Sequence, residues 1–322
     1  MISTFRAVVT SLMQSYAGTD AVSKPYPFDP EVLSKRDDLE PYWLPLEQER
    51  SAPLKTGQDT MTRTCKVRGE QAFLKCLDLT TSSNAAKADF VACFKEMMAL
   101  QDDHIVKVLG ISLITYSTTL CVAMEFMAQG SILNVVLNPK IELKLAQQWQ
   151  MCLDTAKGLA YLHRAGRAHG SLCSTHVLVN AAGVCKLNVQ AIVKPSSSTT
   201  AYGVMDLAFH APETIRRAAT KNLDASMAVD IYALAVIFQQ IFARTHAFKS
   251  IYEEHGFVKG DLCIARAMEA PGSTLAPFDM PVSWPQNMRE LVQRCLSHDP
   301  VARPVIADIV QALEAHLARL HA

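Results

Sequence analysis

The chain has 322 residues, 49% of them hydrophobic and 19% charged, with 31 basic residues balancing 31 acidic ones. This is the composition of a globular protein long enough to bury one large core or two small ones, and the charge balance gives no general attraction to nucleic acid or anionic membrane. Nine scattered cysteines, odd in number and without a C-x-x-C pair, read as reduced, mostly buried thiols of a reducing, cytoplasmic compartment rather than a disulfide framework or zinc site.

The first sixteen residues carry Arg6, several Ser and Thr, and no acid. They read as an N-terminal helix, with a mitochondrial presequence as the weaker alternative. A Pro-rich connector follows from Lys24 to Pro30. Leu44 to Leu79 is turn-rich, with β-prone runs at Thr62–Val67 and Ala72–Leu77. Ala85–Leu100 places Phe90, Phe94, Met97 and Met98 at helical spacing. Ile105–Ile114 and Thr119–Phe126 read as strands, and from Leu143 helices dominate: 143–163, 227–242, 284–297 and 305–321, the last opened by Pro304. Met227–Ala243 is the most apolar stretch, but Asp230, Gln239 and Gln240 interrupt it and argue against a membrane span. A β-rich front and an α-rich back predict an α+β fold of two lobes.

Six local motifs occur in order. They are Ala72-Phe-Leu-Lys75, Met124-Glu-Phe-Met-Ala-Gln-Gly130, and Gly158-Leu-Ala-Tyr-Leu-His163 leading into His169-Gly-Ser171. Then come His210-Ala-Pro-Glu213, Asp230-Ile-Tyr-Ala-Leu-Ala-Val-Ile-Phe and Asp299-Pro-Val-Ala-Arg303-Pro304. Together they resemble the protein kinase fold over about residues 44–320, in particular its tyrosine-kinase and tyrosine-kinase-like branch. The resemblance implies a small β-rich N-lobe with one helix at about 44–126, a hinge at about 125–130 and a larger helical C-lobe at about 131–322. Residues 1–43 are then an N-terminal extension. By the same resemblance Lys75 holds the nucleotide phosphates, and Met124, Glu125, Met127 and Leu178 border the adenine site. Glu213 and Arg303 imply a buried ion pair, and Asp230 a carboxylate beneath the catalytic loop.

The residues that would move phosphate are substituted. In H-R-D-x-x-x-x-N, an Asp accepts the substrate proton and an Asn holds magnesium. His169 keeps the first position, but Ser171 stands at the Asp and His176 at the Asn. Thirteen positions beyond His176, Val189 stands where the D-F-G Asp would hold magnesium, and a hard cation needs oxygen ligands; Asn188 next door is the substitute if the register slips by one. The segment before Lys75 offers only Gly57 for G-x-G-x-x-G. A gapless count puts Cys93 where Lys75 expects its glutamate, with Glu96 one turn on as a substitute. Phe73 replaces the alanine that packs on adenine, and it is expected to fill that pocket. No metal site is expected.

Each missing group would cost about 2.7–4 kcal/mol of transition-state stabilisation, on the order of 10²–10³ in rate, and such losses do not simply multiply. The reading is a degenerate pseudokinase, without bound cofactor, acting as a signalling scaffold or allosteric regulator of protein partners such as another kinase or its substrate. The alternatives are a weak, divergent Ser/Thr or Tyr kinase using ATP with Mg, and a nucleotide-binding module without transfer. His169-Gly-Ser-Leu-Cys also resembles the loop of Janus-kinase pseudokinase domains. Ser196–Thr200 and Tyr202 occupy the activation-segment position, either as phosphorylation sites or as ordinary loop residues.

Overall fold

A computed structural model describes residues 33, 35–46, 55–56, 60–114, 118–189, 206–218, 227–270, 275–281 and 283–321. The chain forms two compact units, one reaching to Gln101 and including Lys107–Phe126, the other made of Asp102–Val106 and everything from Met127 onward.

The first unit is built on an antiparallel sheet of β1 (Lys55–Thr56), β2 (Thr60–Val67), β3 (Glu70–Asp78), β4 (Val108–Leu113) and β5 (Thr119–Glu125), in the order β1-β2-β3-β5-β4. Arg68 and Gly69 join β2 to β3 with φ of 53° and 83°. A two-residue connection with both residues left-handed matches the twist of paired strands. Along β3 the pleat buries Ala72, Leu74 and Cys76 on one face and turns Phe73 and Lys75 to the other. The buried face packs with Leu44, Cys65, Val67, Ile114, Cys121 and Ala123. Helix α1 (Asn84–Ala99) starts where Ser83 caps it by accepting from the Ala86 amide, and buries Val91, Phe94 and Met97.

The run expected as one strand over 105–114 divides. Ile105 bridges Leu187 in the second unit, and only Val108–Leu113 joins the large sheet. The extension expected at 1–43 is packed into the first unit over its described part: Leu33 and Leu39 are buried, and Trp43 bridges Ile111.

The second unit holds a small sheet, β6 (Gly130–Ser131), β7 (Val177–Val179) and β8 (Cys185–Leu187), and a helical body. Its described helices are α2 (Ile132–Leu137), α3 (Leu145–Arg164), α4 (Pro212–Ala218), α5 (Met227–Ala243), α6 (Lys249–His255), α7 (Phe257–Glu269), α8 (Gln286–Cys295) and α9 (Ile306–His321). Helix α5 is buried on every side from Asp230 to Ile241, as its apolar run demands. Trp149 of α3 packs against Phe242, Trp284 and His316, tying three other segments to it. Gly158 lets α3 approach closely, since a Cβ there would lie 2.6 Å from the His104 carbonyl oxygen. The α+β architecture is therefore a small β-sheet lobe with one long helix and a larger helical lobe. Among the described residues, no helix is long and apolar enough to cross a membrane.

Candidate functional site

In the first unit, Lys75 sits on a central strand, paired with Thr62 on one side and Val122 on the other. Two residues along, Phe73 is partly buried between Thr64 and Met124, and Met124 is itself buried. Cys93 on α1 is partly buried within the field of Lys75 and of Glu96. Burial pushes its thiol pKa up, Lys75 pulls it down and Glu96 adds to the rise. Glu96 itself is exposed. Glu125 ends β5 with its carboxylate accepting from the Lys107 amide at 2.6 Å. Gly57, expected in a phosphate loop, lies outside the described residues, as do Ser196–Thr200 and Tyr202.

In the second unit, Met127 is buried and Leu178 is half-buried on β7, opposite Lys186 and Ser131. The loop from His169 to His176 hangs on Asp230 of α5, whose side chain is wholly buried. The carboxylate accepts from the amides of His169 and Gly170, both at 2.8 Å, and is 2.9 Å from His163 Nε2. Three donors on one acid fix the loop backbone and satisfy the charge where water cannot. Sequence reasoning placed Asp230 under the loop and quoted His163 without seeing that they meet. It also passed over Asp154 on α3, buried, which accepts from the Cys185 amide at 3.0 Å and from Gln150 Nε2 at 2.7 Å. An Asp inside an amphipathic helix, four residues from a Gln, was the only signal.

Ser171 is exposed. Its carbonyl accepts from His176 Nδ1 at 2.7 Å, which spends one nitrogen of that ring on closing the loop. The His169 and His176 rings stack at 5.9 Å between centroids. Val189 is only 2% exposed, so the D-F-G Asp position is a buried isopropyl group. A hydroxyl, a backbone-tied imidazole and a buried hydrocarbon do not fit magnesium, which needs near-octahedral oxygen donors. Among the described residues, no group of three or more His, Cys, Asp or Glu is arranged to hold a metal ion.

His169 is 2% exposed, and neither ring nitrogen forms a well-made hydrogen bond among the described residues. Burial lowers its pKa to about 4; Asp230 and the Asn188 backbone oppose this, and His176 and His163 add to it. The folded chain thus keeps His169 neutral down to about pH 4, while an unfolded histidine takes its proton near pH 6.5. Between those values the unfolded state binds more protons. The contribution is complete above pH 6.5 and is lost as pH falls towards 4, up to about 3 kcal/mol. Urea unfolding of the wild type and His169→Phe at pH 7.5, 6 and 4.5 should show the variant losing less stability on acidification. Parallel losses would rule this origin out.

Away from the loop, Arg303 and Glu213 form a bidentate ion pair, Nη1–Oε1 at 2.6 Å and Nη2–Oε2 at 2.7 Å, with the arginine side chain 1% exposed. Arg303 also donates to the Ala228 and Ser297 carbonyls and lies 5.4 Å from the Tyr232 ring centroid.

A family model described as protein tyrosine and serine/threonine kinase matches residues 55–313. Among curated proteins the chain is similar to Cyclic GMP-binding protein C of Dictyostelium discoideum, 26% identical over 67% of this chain and 8% of that protein. It is also similar to two others from that organism. Dual specificity protein kinase pyk3 is 25% identical over 60% of this chain and 13% of its own length. Probable serine/threonine-protein kinase drkB is 24% identical over 77% and 34%. The matched span therefore covers about a third or less of each of these relatives.

Proposed function

The chain belongs to the protein tyrosine and serine/threonine kinase family, and from that premise we propose that it is a pseudokinase, acting by binding protein partners as a scaffold or allosteric regulator. The observation that carries this reading is the state of three positions in the second unit. Where phosphoryl transfer needs a base and two magnesium ligands, the chain has an exposed Ser171 hydroxyl, a His176 ring tied to the Ser171 carbonyl, and a Val189 side chain sealed in the core. A serine hydroxyl has no useful basicity near neutral pH, and no rotamer of valine supplies an oxygen. The architectural charges, Asp230, Glu213 and Arg303, are by contrast all engaged. The fold is kept, and the equipment for transfer is not.

The second reading, a weak ATP-dependent Ser/Thr or Tyr kinase, draws on Lys75 and on the similarity to relatives named as protein kinases, such as pyk3 and drkB. A binder of nucleotide without metal is a third. Thermal unfolding with ATP alone, and with ATP plus Mg²⁺ or Mn²⁺, separates them. A ligand at a hundredfold excess over its Kd adds about 2.7 kcal/mol, a rise on the order of 5 °C in a domain of this size. No rise in any condition is expected. A rise with ATP alone would favour the sensor, and a metal-dependent rise would favour the kinase.

A further inference from the structure

The segment preceding β1 is the feature that the kinase reading leaves unused: Leu44 and Leu46 pack on the apolar cluster of the large sheet, and the segment's further described contacts fall on β4 and α1. Strand β4 is the edge of the large sheet. Trp43 pairs with Ile111 of β4 in parallel, the Leu44 amide donates to the Ile111 carbonyl at 2.9 Å, and Ser112 Oγ donates to the Leu44 carbonyl at 2.7 Å. An edge that would otherwise offer unpaired backbone groups is thereby covered. The bare backbone of Gly110 is the seat of this contact, because a Cβ there would collide with the Tyr42 carbonyl oxygen and the Leu44 side chain.

The other contacts fall on α1. Tyr42 meets Phe94 edge-on, with ring centroids 5.6 Å apart and planes at 78°. Asp38 is held by Arg36 at 2.9 and 2.7 Å and ion-pairs with Lys95. Phe94 and Lys95 stand between Cys93 and Glu96 in the sequence, so the segment grips α1 at the turn that carries Glu96 and Cys93, the latter within the field of Lys75. We propose that residues 36–46 are a regulatory strap: docked on β4 and α1 they set the position of α1, and their release frees that helix together with Cys93 and Glu96.

The construction suits a releasable element. The sheet contact is one bridge with two hydrogen bonds, and the Asp38–Lys95 pair is exposed, at 43% and 41%, where ion pairs are screened and weak. Buried Leu39 and Leu44 anchor the segment, so its release is a local opening that exposes them rather than a free motion. The strap also lies outside residues 55–313, the span of the family match. It acts on the geometry of α1 whether or not phosphate is transferred.

Cysteines supply the test. Cys93 reports α1, and Cys65 lies in the apolar cluster that Leu44 and Leu46 cover. Buried Cys152, Cys185 and Cys295 in the second unit report general unfolding. The full chain carrying Asp38→Asn, Tyr42→Ala or Gly110→Ala is pulse-labelled with N-ethylmaleimide, and each cysteine is quantified by peptide mass spectrometry. Labelling of Cys93 and Cys65 should rise about tenfold, with Cys152, Cys185 and Cys295 unchanged. An unchanged Cys93 in all three variants, or an equal rise at every cysteine, overturns the proposal. Gly110→Ala removes the seat of the strap, and the two milder substitutions keep the test open if that variant does not fold.

Discussion

Arg303→Leu is expected to destabilise the helical lobe by about 3–5 kcal/mol, the loss seen when one partner of a buried pair is removed. The side chain makes two charge-assisted bonds to Glu213 and one each to the Ala228 and Ser297 carbonyls. It thereby joins the start of α4, the start of α5 and the turn before α9. Truncation leaves the Glu213 carboxylate in a site 13% exposed with nothing to neutralise it. Pairing the change with Glu213→Gln should recover part of the loss, because the stranded charge is then gone. Urea unfolding of the two single variants and the double variant measures this. A loss below about 1 kcal/mol for Arg303→Leu would show that the pair is dispensable to the lobe.

Asp230→Ala should cost about as much, and its effect should be concentrated in one loop. The substitution strips an acceptor from the His169 amide, the Gly170 amide and His163 Nε2. Buried donors left without a partner cost about 1–3 kcal/mol each. Hydrogen exchange of the His169 and Gly170 amides should accelerate well beyond that of α9, and urea unfolding should show a loss of about 3 kcal/mol or more. Asp230→Asn should fall between, since the amide oxygen replaces one acceptor while its NH₂ faces donors. Unchanged exchange at both amides would mean that other contacts hold the loop.

What could be read ahead of the structure follows the length and regularity of each signal. Strands β2 and β3 were legible as β-prone runs and α1 from apolar residues at helical spacing, and α5 was legible because an apolar run over four turns has few other places to go. Asp230, Glu213 and Arg303 were legible only as members of motifs, since nothing in spacing brings residues 213 and 303 together. Helices α6 and α7 went unread for a physical reason. Helix α7 buries only Gly260, Ile264 and Met268 and leaves Phe257, Val258 and Leu262 largely exposed, so no clean stripe appears. Gly256 and Gly260 also look like breakers, yet Gly260 is there for packing: a Cβ would lie 2.7 Å from the Tyr252 ring. The strap was hidden because its anchors are few and far apart. Asp38 meets Lys95 and Tyr42 meets Phe94, more than fifty residues away, and no local pattern records such a pairing.

The central proposal concerns Ser171, His176 and Val189, and transfer itself tests it most directly. Purified full chain is incubated with γ-³²P-labelled ATP, Mg²⁺ or Mn²⁺ and a general protein substrate, alongside Lys75→Ala. The pseudokinase account predicts no incorporation above the Lys75→Ala background, into the chain or the substrate, with either metal. Incorporation that the Lys75→Ala change abolishes would contradict it.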